Sequence, residues 1–201
     1  DEATGYLFGG IATDAWSAYD FKAMAGYAQY EHALSPRLKL KANVRFEQNM
    51  MDYEGKSEGL NENWEKVVLP PVKFNVEHSM LGYRSSIHYL KDEFTSFYGS
   101  VSQGYKSGGV NQQPYLSDKN RPFDPEFIQN FEIGLKRATD IYRTQLSAFY
   151  SKRNDQQVSI SSQQEKENPN SFLFYTANAG SGWVRGMEWE NTYKIAQKTQ
   201  L

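Results

Sequence analysis

The chain alternates short polar breaks with long hydrophilic excursions, and this rhythm restricts its fold more than any single motif does. The short breaks lie at 34–36, 91–93, 138–140 and 197–199. The long excursions run from about 51 to 71, 106 to 126 and 154 to 170. A water-soluble sheet has no reason to collect its tight turns at one end and its excursions at the other. A transmembrane β-barrel has short turns on one side of the membrane and long loops on the other.

The alternation of apolar and polar residues predicts the individual strands. After the first break, one face is apolar and the opposite face carries charges; the apolar residues are Leu38, Leu40, Ala42, Val44 and Phe46. Further strands are predicted over 81–89, 97–105, 127–136, 142–150 and 187–195, near 6–11 and 23–30, and from 199 onward. The prediction is about eight antiparallel strands and the start of a ninth, with residues 14–24 forming a loop.

Within these strands, the face of each residue predicts its surroundings. Phe97, Gly99, Val101 and Tyr105 are expected to share one apolar face. Gly134 and Gly186 are expected to face the interior, where a missing side chain leaves room. Three acids are expected to face the interior as well, where water solvates them: Glu132, Glu188 and Glu190.

Strand length and aromatic placement favour the membrane over a water-soluble sheet. The alternation by itself also fits a sheet with one wet face and one core face. Most of the predicted strands span ten or more residues, which is longer than the usual five or six. Tyrosines stand beside the short turns, at Tyr30, Tyr89, Tyr142 and Tyr193. Such rings favour the membrane interface, because they are apolar with a polar tip.

Composition excludes several other classes of protein. The chain has 22 basic and 24 acidic residues and a net charge of −2, which gives no basic face for nucleic acid. It has no cysteine, so disulfide and thiolate chemistry are excluded. His32, His78 and His88 lie far apart without metal-ligand spacing. We therefore expect no enzyme, no catalytic residues, no metal and no cofactor.

Four segments, in order, resemble the barrel of TonB-dependent outer-membrane receptors. They are FYGSVSQGYKSGGVN at 97–111, FDPE followed by NFEIGLK at 123–136, AFY with DQQV at 148–158, and NAG with RGMEWE at 178–190. The first joins an aromatic strand to a glycine-rich loop, and the second and fourth place Glu and Gly in alternation with apolar residues. The resemblance covers 94–195, and more loosely extends back to 23.

The resemblance implies an all-β, antiparallel transmembrane β-barrel meander, with about eight or nine strands of a roughly 22-stranded barrel. Residues 1–201 would be a partial barrel domain without the plug domain and the C-terminal strands. The parent protein would then be an integral protein of the Gram-negative outer membrane, in contact with its lipid. Its function would be active uptake of a scarce ligand, most simply a ferric siderophore, with cobalamin or a carbohydrate as other ligands. A TonB-type energy transducer would act through the missing plug.

Five residues are candidates for ligand binding: Tyr105, Lys106, Tyr115, Lys119 and Arg121. They lie at a strand end and in a long excursion, and aromatic and cationic side chains suit anionic iron chelates. The alternative is that they are solvated loop residues with structural roles. For the whole chain, two other functions remain open: a complete small outer-membrane barrel acting as an adhesin or structural protein, and a soluble carbohydrate-binding β-sandwich.

Overall fold

The computed structural model describes residues 6–8, 11–60, 65–113, 116–163, 172–196 and 199–200. Its strands are β1 Tyr6–Phe8, β2 Ile11–Ser35, β3 Leu38–Leu60, β4 Lys66–Val68, β5 Val72–Leu90, β6 Thr95–Lys106, β7 Gly109–Val110, β8 Pro122–Phe123, β9 Glu126–Ala138, β10 Tyr142–Asn154, β11 Gln157–Gln163, β12 Phe172–Asn178, β13 Gly182–Ala196 and β14 Thr199–Gln200. One 3₁₀ helix covers Asp118–Asn120. Within these ranges no helix is long and apolar enough to cross a membrane.

The strands form one large antiparallel meander. The main sheet has ten strands in the order β1-β2-β3-β5-β6-β9-β10-β13-β14, with β4 paired to β3 off this path. The strands of the path follow one another in chain order, and they match the predicted eight strands with a ninth beginning at β14. Two small hairpins, β7–β8 and β11–β12, lie within the long excursions. The predicted antiparallel meander is confirmed.

The predicted loop at 14–24 is wrong. These residues belong to β2, which pairs with β3 residue for residue from Thr13↔Gly59 to Met24↔Gln48. The excursion predicted from residue 51 is also shorter than expected, because β3 continues to Leu60. The ladder pairs the backbone N–H and C=O groups that the two segments direct toward each other, so the wall extends well past the predicted strand ends. The opening strand differs too, since Ile11 already belongs to β2.

Three of the predicted short breaks are tight turns in the structure. They join β2 to β3, β5 to β6 and β9 to β10, whereas residues 197–198 of the fourth lie outside the described residues. In the β5–β6 turn the Phe94 N–H donates to Asp92 Oδ1 at 2.9 Å. This backbone hydrogen bond lowers the pKa of Asp92, because it stabilises the carboxylate form. The Asp92 side chain thus accepts a backbone N–H that has no strand partner within the turn.

An apolar belt crosses one face of the sheet next to the short turns. Between β3 and β5 its facing pairs are Leu38–Tyr89, Leu40–Ile87, Ala42–Ser85, Val44–Tyr83 and Phe46–Leu81. The following pair on that face is the polar Gln48–Ser79. Between β6 and β9 the belt ends likewise at Gln103 and Gln129, whose side-chain amides are hydrogen-bonded at 2.9 Å. The belt is about nine residues tall on β3, close to what a tilted strand needs to cross hydrocarbon.

The belt has no second protein layer against it among the described residues. Ile133 is 67% exposed and Trp189 is 73% exposed, although both are large and apolar. A sandwich would bury these side chains against another sheet. The described residues therefore do not form a β-sandwich, and the apolar face is the exposed outer face of the sheet.

Aromatic pairs mark both edges of the belt on β10 and β13. Tyr142 and Tyr193 face each other beside the short turn, with ring centroids 6.0 Å apart. Tyr150 and Trp183 stack at the other edge, with centroids 6.3 Å apart. Aromatic rings at two levels of a strand are typical of the interfacial girdles of membrane barrels.

Above the belt, the two faces of β3 exchange character. The outward residues become charged, and Glu54 pairs with Lys73 at 3.3 Å. The inward residues become apolar, and Met51 and Tyr53 are buried with Val110 of the β7–β8 hairpin. The outer face is therefore polar at this level, and the apolar side chains of β3 pack against a loop on the inner face.

Inside the wall, aromatic rings lie flat over glycines of the neighbouring strand. A Cβ on Gly134 would stand 2.5 Å from the ring of Tyr98, and one on Gly186 would stand 2.9 Å from the ring of Phe149. The Tyr98 hydroxyl donates to Glu132 Oε1 at 2.5 Å. The inward orientation expected for both glycines and for Glu132 is confirmed. Glu188 and Glu190 share this face, since they pair with Ser147 and Gln145.

A cation in the middle of the belt should destabilise the barrel. We expect Ile133→Lys to lower the free energy of unfolding of the intact protein in lipid bilayers by about 2–4 kcal/mol, since a cation near the bilayer midplane loses its hydration. The matched control is Ser100→Lys, which lies on the inner face beside Glu132. Denaturant titration in liposomes measures both, and an equal loss for the two variants would contradict the assignment of faces.

The contact between Tyr98 and Gly134 predicts a specific intolerance. Gly134→Ala should cost about 1–3 kcal/mol of unfolding free energy, because the new methyl group overlaps a packed ring. Gly99→Ala is the control, since its Cβ would make only ordinary contacts, the nearest at 3.7 Å from Ile87. Removing the ring with Tyr98→Ala should relieve most of the clash, so the double variant measured by the same titration should show a positive coupling.

Candidate functional site

The two long excursions between β6 and β9 and between β10 and β13 meet over the inner face above the belt. The first contains the β7–β8 hairpin and the 3₁₀ helix, and the second contains the β11–β12 hairpin. Both leave the wall on the long-loop side, opposite the short turns. They form the candidate functional site, because they border the opening through which an external ligand would reach the inner face.

Asn111 joins the two excursions. Its Oδ1 accepts the Thr176 N–H at 2.8 Å, and its Nδ2 donates to the Thr176 carbonyl at 2.7 Å. The same Nδ2 also donates to the Asn120 carbonyl at 3.0 Å. The side-chain amide therefore pairs with β12 as a neighbouring strand would. Asn111 is buried, so these bonds are shielded from competing water.

Further amide side chains repeat this pattern at the base of the excursions. Asn178 Oδ1 accepts the Asp124 N–H at 2.7 Å, and its Nδ2 donates to the Asp124 carbonyl at 2.9 Å. Gln157 Nε2 donates to the Ser107 carbonyl at 2.8 Å. The two excursions are thus one hydrogen-bonded unit, held through side chains and not through a continuous ladder.

Arg121 stabilises the first excursion from within. It is only 3% exposed, and its Nη1 donates to the Gln113 carbonyl at 3.0 Å. Its Nε lies 3.3 Å from Asp118 Oδ1 at the 3₁₀ helix. A buried guanidinium needs such partners, because the loss of its hydration is otherwise costly. Arg121 has a structural role in this arrangement.

The first excursion rests on His78 of β5. A Cβ on Gly108 would stand 2.5 Å from His78 Cε1 and would overlap the Phe123 carbonyl oxygen. Only glycine permits this approach of the loop backbone to the imidazole. Beside it, the side chains of Asn49 and Ser107 are hydrogen-bonded at 3.0 Å. The glycine-rich entrance therefore fixes the loop against the wall.

Tyr105 departs from the face that the alternation predicts. The pairing of β5 with β6 ends at Tyr83↔Gln103, so β6 separates from β5 beyond that point. The Tyr105 ring lies over Gly82, where a Cβ would stand 3.0 Å from it. Its hydroxyl accepts from Arg45 Nε at 3.0 Å and donates to Glu47 Oε2 at 3.1 Å. The prediction that Tyr105 shares a face with Phe97, Gly99 and Val101 is therefore wrong, whereas the other three residues do share one face.

The structure separates the predicted site residues. Tyr105 and Lys106 lie together at the end of β6, with Tyr105 bonded into the inner wall and Lys106 exposed. Lys119 is exposed on the 3₁₀ helix, and Arg121 is buried beneath it. Tyr115 lies outside the described residues. The described part of the chain contains no group of three or more His, Asp or Glu residues that could hold a metal ion.

The amides that organise the site were missed from the sequence. Asn111 ends the glycine-rich segment, and Asn178 begins the NAG segment of the motifs quoted above. Their positions in those motifs were the available signal. Chemistry alone gives no reason to prefer them, because an exposed asparagine and a strand-bridging asparagine look the same in a sequence.

The fold and its loop entrance agree with comparisons to known proteins. Residues 2–198 match the family described as "TonB dependent receptor-like, beta-barrel". The chain belongs to this family. Its homologues are outer-membrane β-barrel proteins, and several of them are named as receptors.

Among the relatives, the pesticin receptor of Yersinia pestis is 26% identical over 177 residues, which cover 87% of this chain and 24% of the receptor. The ferric yersiniabactin uptake receptor FyuA from Yersinia pestis has a TM-score of 0.70 at 21% identity, covering 93% of this chain and 26% of that one. The siderophore receptor PiuA from Acinetobacter baumannii has a TM-score of 0.59 at 18% identity, covering 94% and 24%. The chain thus spans about a quarter of these relatives.

Breaking the amide bridge should free the loops without unfolding the wall. We expect Asn111→Leu to increase hydrogen exchange in 109–123 and 172–178, because four side-chain hydrogen bonds are lost and the backbone polar groups of Thr176 lose their partner. Each such loss costs about 1–3 kcal/mol locally. Gln112→Ala is the control, because its side chain is exposed. Unchanged exchange in the Asn111 variant would contradict the bridge.

Proposed function

We propose that the intact protein is an outer-membrane receptor that takes up a ferric siderophore by a TonB-dependent mechanism. Residues 1–201 supply part of its barrel wall and two external loop systems. The plug domain and the remaining strands belong to other parts of the parent chain. The main support is the family membership, together with a lipid-facing belt that ends below a loop-covered, polar interior.

The relatives favour iron over other ligands. FyuA is named as a ferric yersiniabactin uptake receptor and PiuA as a siderophore receptor. Both are below 25% identical to this chain, so they support the fold directly and the ligand class only by analogy. The inner wall adds a chemical reason, because its arginines and lysines suit the negative charge of ferric chelates.

The difference between a polar inner face and an apolar outer face also supports the proposal. Cations such as Lys41 and Arg45 lie inward, where Lys41 pairs with Glu31 at 3.0 Å and Arg45 with Glu47 at 2.6 Å. A ligand inside such a wall meets charged and hydrogen-bonding groups, whereas lipid meets only the belt. This arrangement suits passage of a hydrophilic iron complex. Localisation in the outer membrane and contact with its lipid are part of the proposal.

Iron uptake by cells tests the function directly. Cells that carry the full-length receptor as their only siderophore receptor should accumulate ⁵⁵Fe from at least one ferric siderophore. Accumulation should stop in the same cells without TonB, because the energy for release comes from the inner membrane. The panel includes ferric siderophores, cobalamin and oligosaccharides. Uptake that persists without TonB, or uptake of cobalamin or oligosaccharide alone, would contradict the proposal.

A further inference from the structure

A shallow depression lies on the outer face of the sheet, directly above the apolar belt. It has a volume of about 640 Å³ and is lined by Gln103, Phe127, Asn154, Asp155 and Ser181. Phe127 and Asn154 are a facing pair of β9 and β10, one pair beyond Gln129 and Lys152 on the same face. The depression therefore opens away from the inner face and from the loops that cover it.

The depression exists because Tyr105 has left the outer face. The register of β6 with β9 places Tyr105 opposite Phe127. The Tyr105 ring instead lies over Gly82, and its hydroxyl is hydrogen-bonded to Arg45 and Glu47 of the inner face. Phe127 therefore lacks the aromatic neighbour that a regular strand would supply, and a hollow forms beside it on the outer face.

Two cations border the lower side of the depression. Lys152 pairs opposite Trp183, and Arg185 pairs opposite Tyr150, so both lie on the outer face. Both side chains are exposed, and neither takes part in an ion pair of the described residues. The Arg185 guanidinium lies 5.4 Å from the centre of the Trp183 ring. The cations are thus available to an anion that approaches the outer face.

The position of these cations fits a membrane interface. Below them, the outer residues of β10 and β13 carry no charge as far as the Tyr142–Tyr193 pair: Thr144, Leu146, Ala148, Met187, Trp189 and Asn191. Lys152 and Arg185 lie at the level of the upper aromatic pair, Tyr150 and Trp183. Cations on the lipid face of a barrel are costly at mid-depth and tolerated near its edge, where their stems lie along apolar surface and their charged ends reach the headgroups.

The chemistry around the depression suits a phosphate group attached to a sugar. Arginine and lysine bind phosphate well, arginine through two parallel hydrogen bonds. On the opposite side, the Asn154 amide and the Asp155 carboxylate offer hydrogen bonds to hydroxyl groups. The charged side chains of this part of the outer face, Lys152, Arg185 and Asp155, sum to a net charge of +1. A hydroxylated anion is therefore more complementary to it than a neutral or an uncharged apolar molecule.

We propose that the depression, together with Lys152 and Arg185, binds the phosphorylated sugar headgroup of a glycolipid in the outer leaflet. The two cations bind the phosphate, Asn154 and Asp155 contact sugar hydroxyls, and Trp183 lies at the boundary with the acyl chains. The depression lies on the long-loop side of the belt, which selects the outer leaflet. This inference rests on the outer-membrane location within the proposed function, and it adds a lipid partner at a defined place on the wall.

Native mass spectrometry of the purified full-length receptor in detergent tests the lipid preference. The probes are diphosphorylated lipid A, its dephosphorylated form and phosphatidylglycerol. We expect diphosphorylated lipid A to bind about tenfold more tightly than either of the others, because only it combines phosphate with a sugar. Equal binding of the dephosphorylated form would overturn the inference. Equal binding of phosphatidylglycerol would do so too, since it would show only a general attraction of anions.

A pair of double variants tests the two cations. Lys152→Gln with Arg185→Gln should raise the Kd for diphosphorylated lipid A about tenfold, because the phosphate loses both charged partners. The matched control is Lys66→Gln with Lys73→Gln, which removes two outward cations from β4 and β5. It should change the Kd less than twofold. Heat-modifiable migration on gels checks that both variants are folded, and an unchanged Kd in the first variant would contradict the site.

Photocrosslinking in whole cells separates a lipid site from a surface covered by other protein. The photoreactive residue p-benzoylphenylalanine at position 127 should form an adduct that an antibody to lipid A recognises. The same residue at position 128, on the inner face of the same strand, should not. A crosslink from position 127 to protein, or no lipid adduct there, would overturn the inference even if the glutamine variants lose binding through misfolding.

The two proposals fail in different ways. If cells accumulate ⁵⁵Fe through this receptor but the Lys152 and Arg185 variant binds lipid A normally, the lipid site is overturned and TonB-dependent uptake stands. If no ferric siderophore is taken up while lipid A binds and crosslinks as expected, the proposed uptake fails and the lipid site stands on an outer-membrane barrel of another function.

Discussion

The backbone ladder is the constraint on which the rest of this structure depends. In hydrocarbon, each unpaired N–H or C=O costs several kcal/mol, so a strand that crosses the belt must pair without interruption. The pairing of β10 with β13 runs unbroken from Tyr142↔Tyr193 to Arg153↔Gly182. The register shifts of the described strands occur near the short turns, between Ala33 and Ser35 and between Lys194 and Ala196. An uninterrupted register fixes which side chains lie on the outer face of the sheet and which lie on the inner face.

The register explains which strands could be predicted from the sequence and which could not. Where one environment lies on each side of the wall, as along 38–46, alternation predicted the strand and its faces. It failed at 14–24 because the environments change along the same strand. There Lys22 faces outward and Phe21 faces inward, whereas lower down Tyr30 faces outward in the belt. Each face of β2 is then mixed in character, and a test for one apolar side finds no strand.

The candidate site shows a different limit. Aromatic and cationic residues in a long loop were a reasonable prediction for a site that binds anions, and that assignment stays a prediction. Burial of Arg121 depends on contacts such as that of Asn111 with Thr176, 65 residues later in the chain. Local sequence carries no information on such pairs. The glycine-rich entrance was more predictable, because the need for Gly108 arises from a close backbone approach that glycine alone allows.

The prolongation of β2 and β3 past the belt has a consequence for how this protein meets other macromolecules. Some ten residues of paired strand continue past the apolar belt, roughly 30 Å measured along the strand. The outward charges of this extension, such as Glu58 with Lys66, therefore lie on hydrogen-bonded strands. Antibodies that bind this extension would recognise a folded epitope formed by several strands. Short linear peptides copied from it would reproduce that epitope poorly.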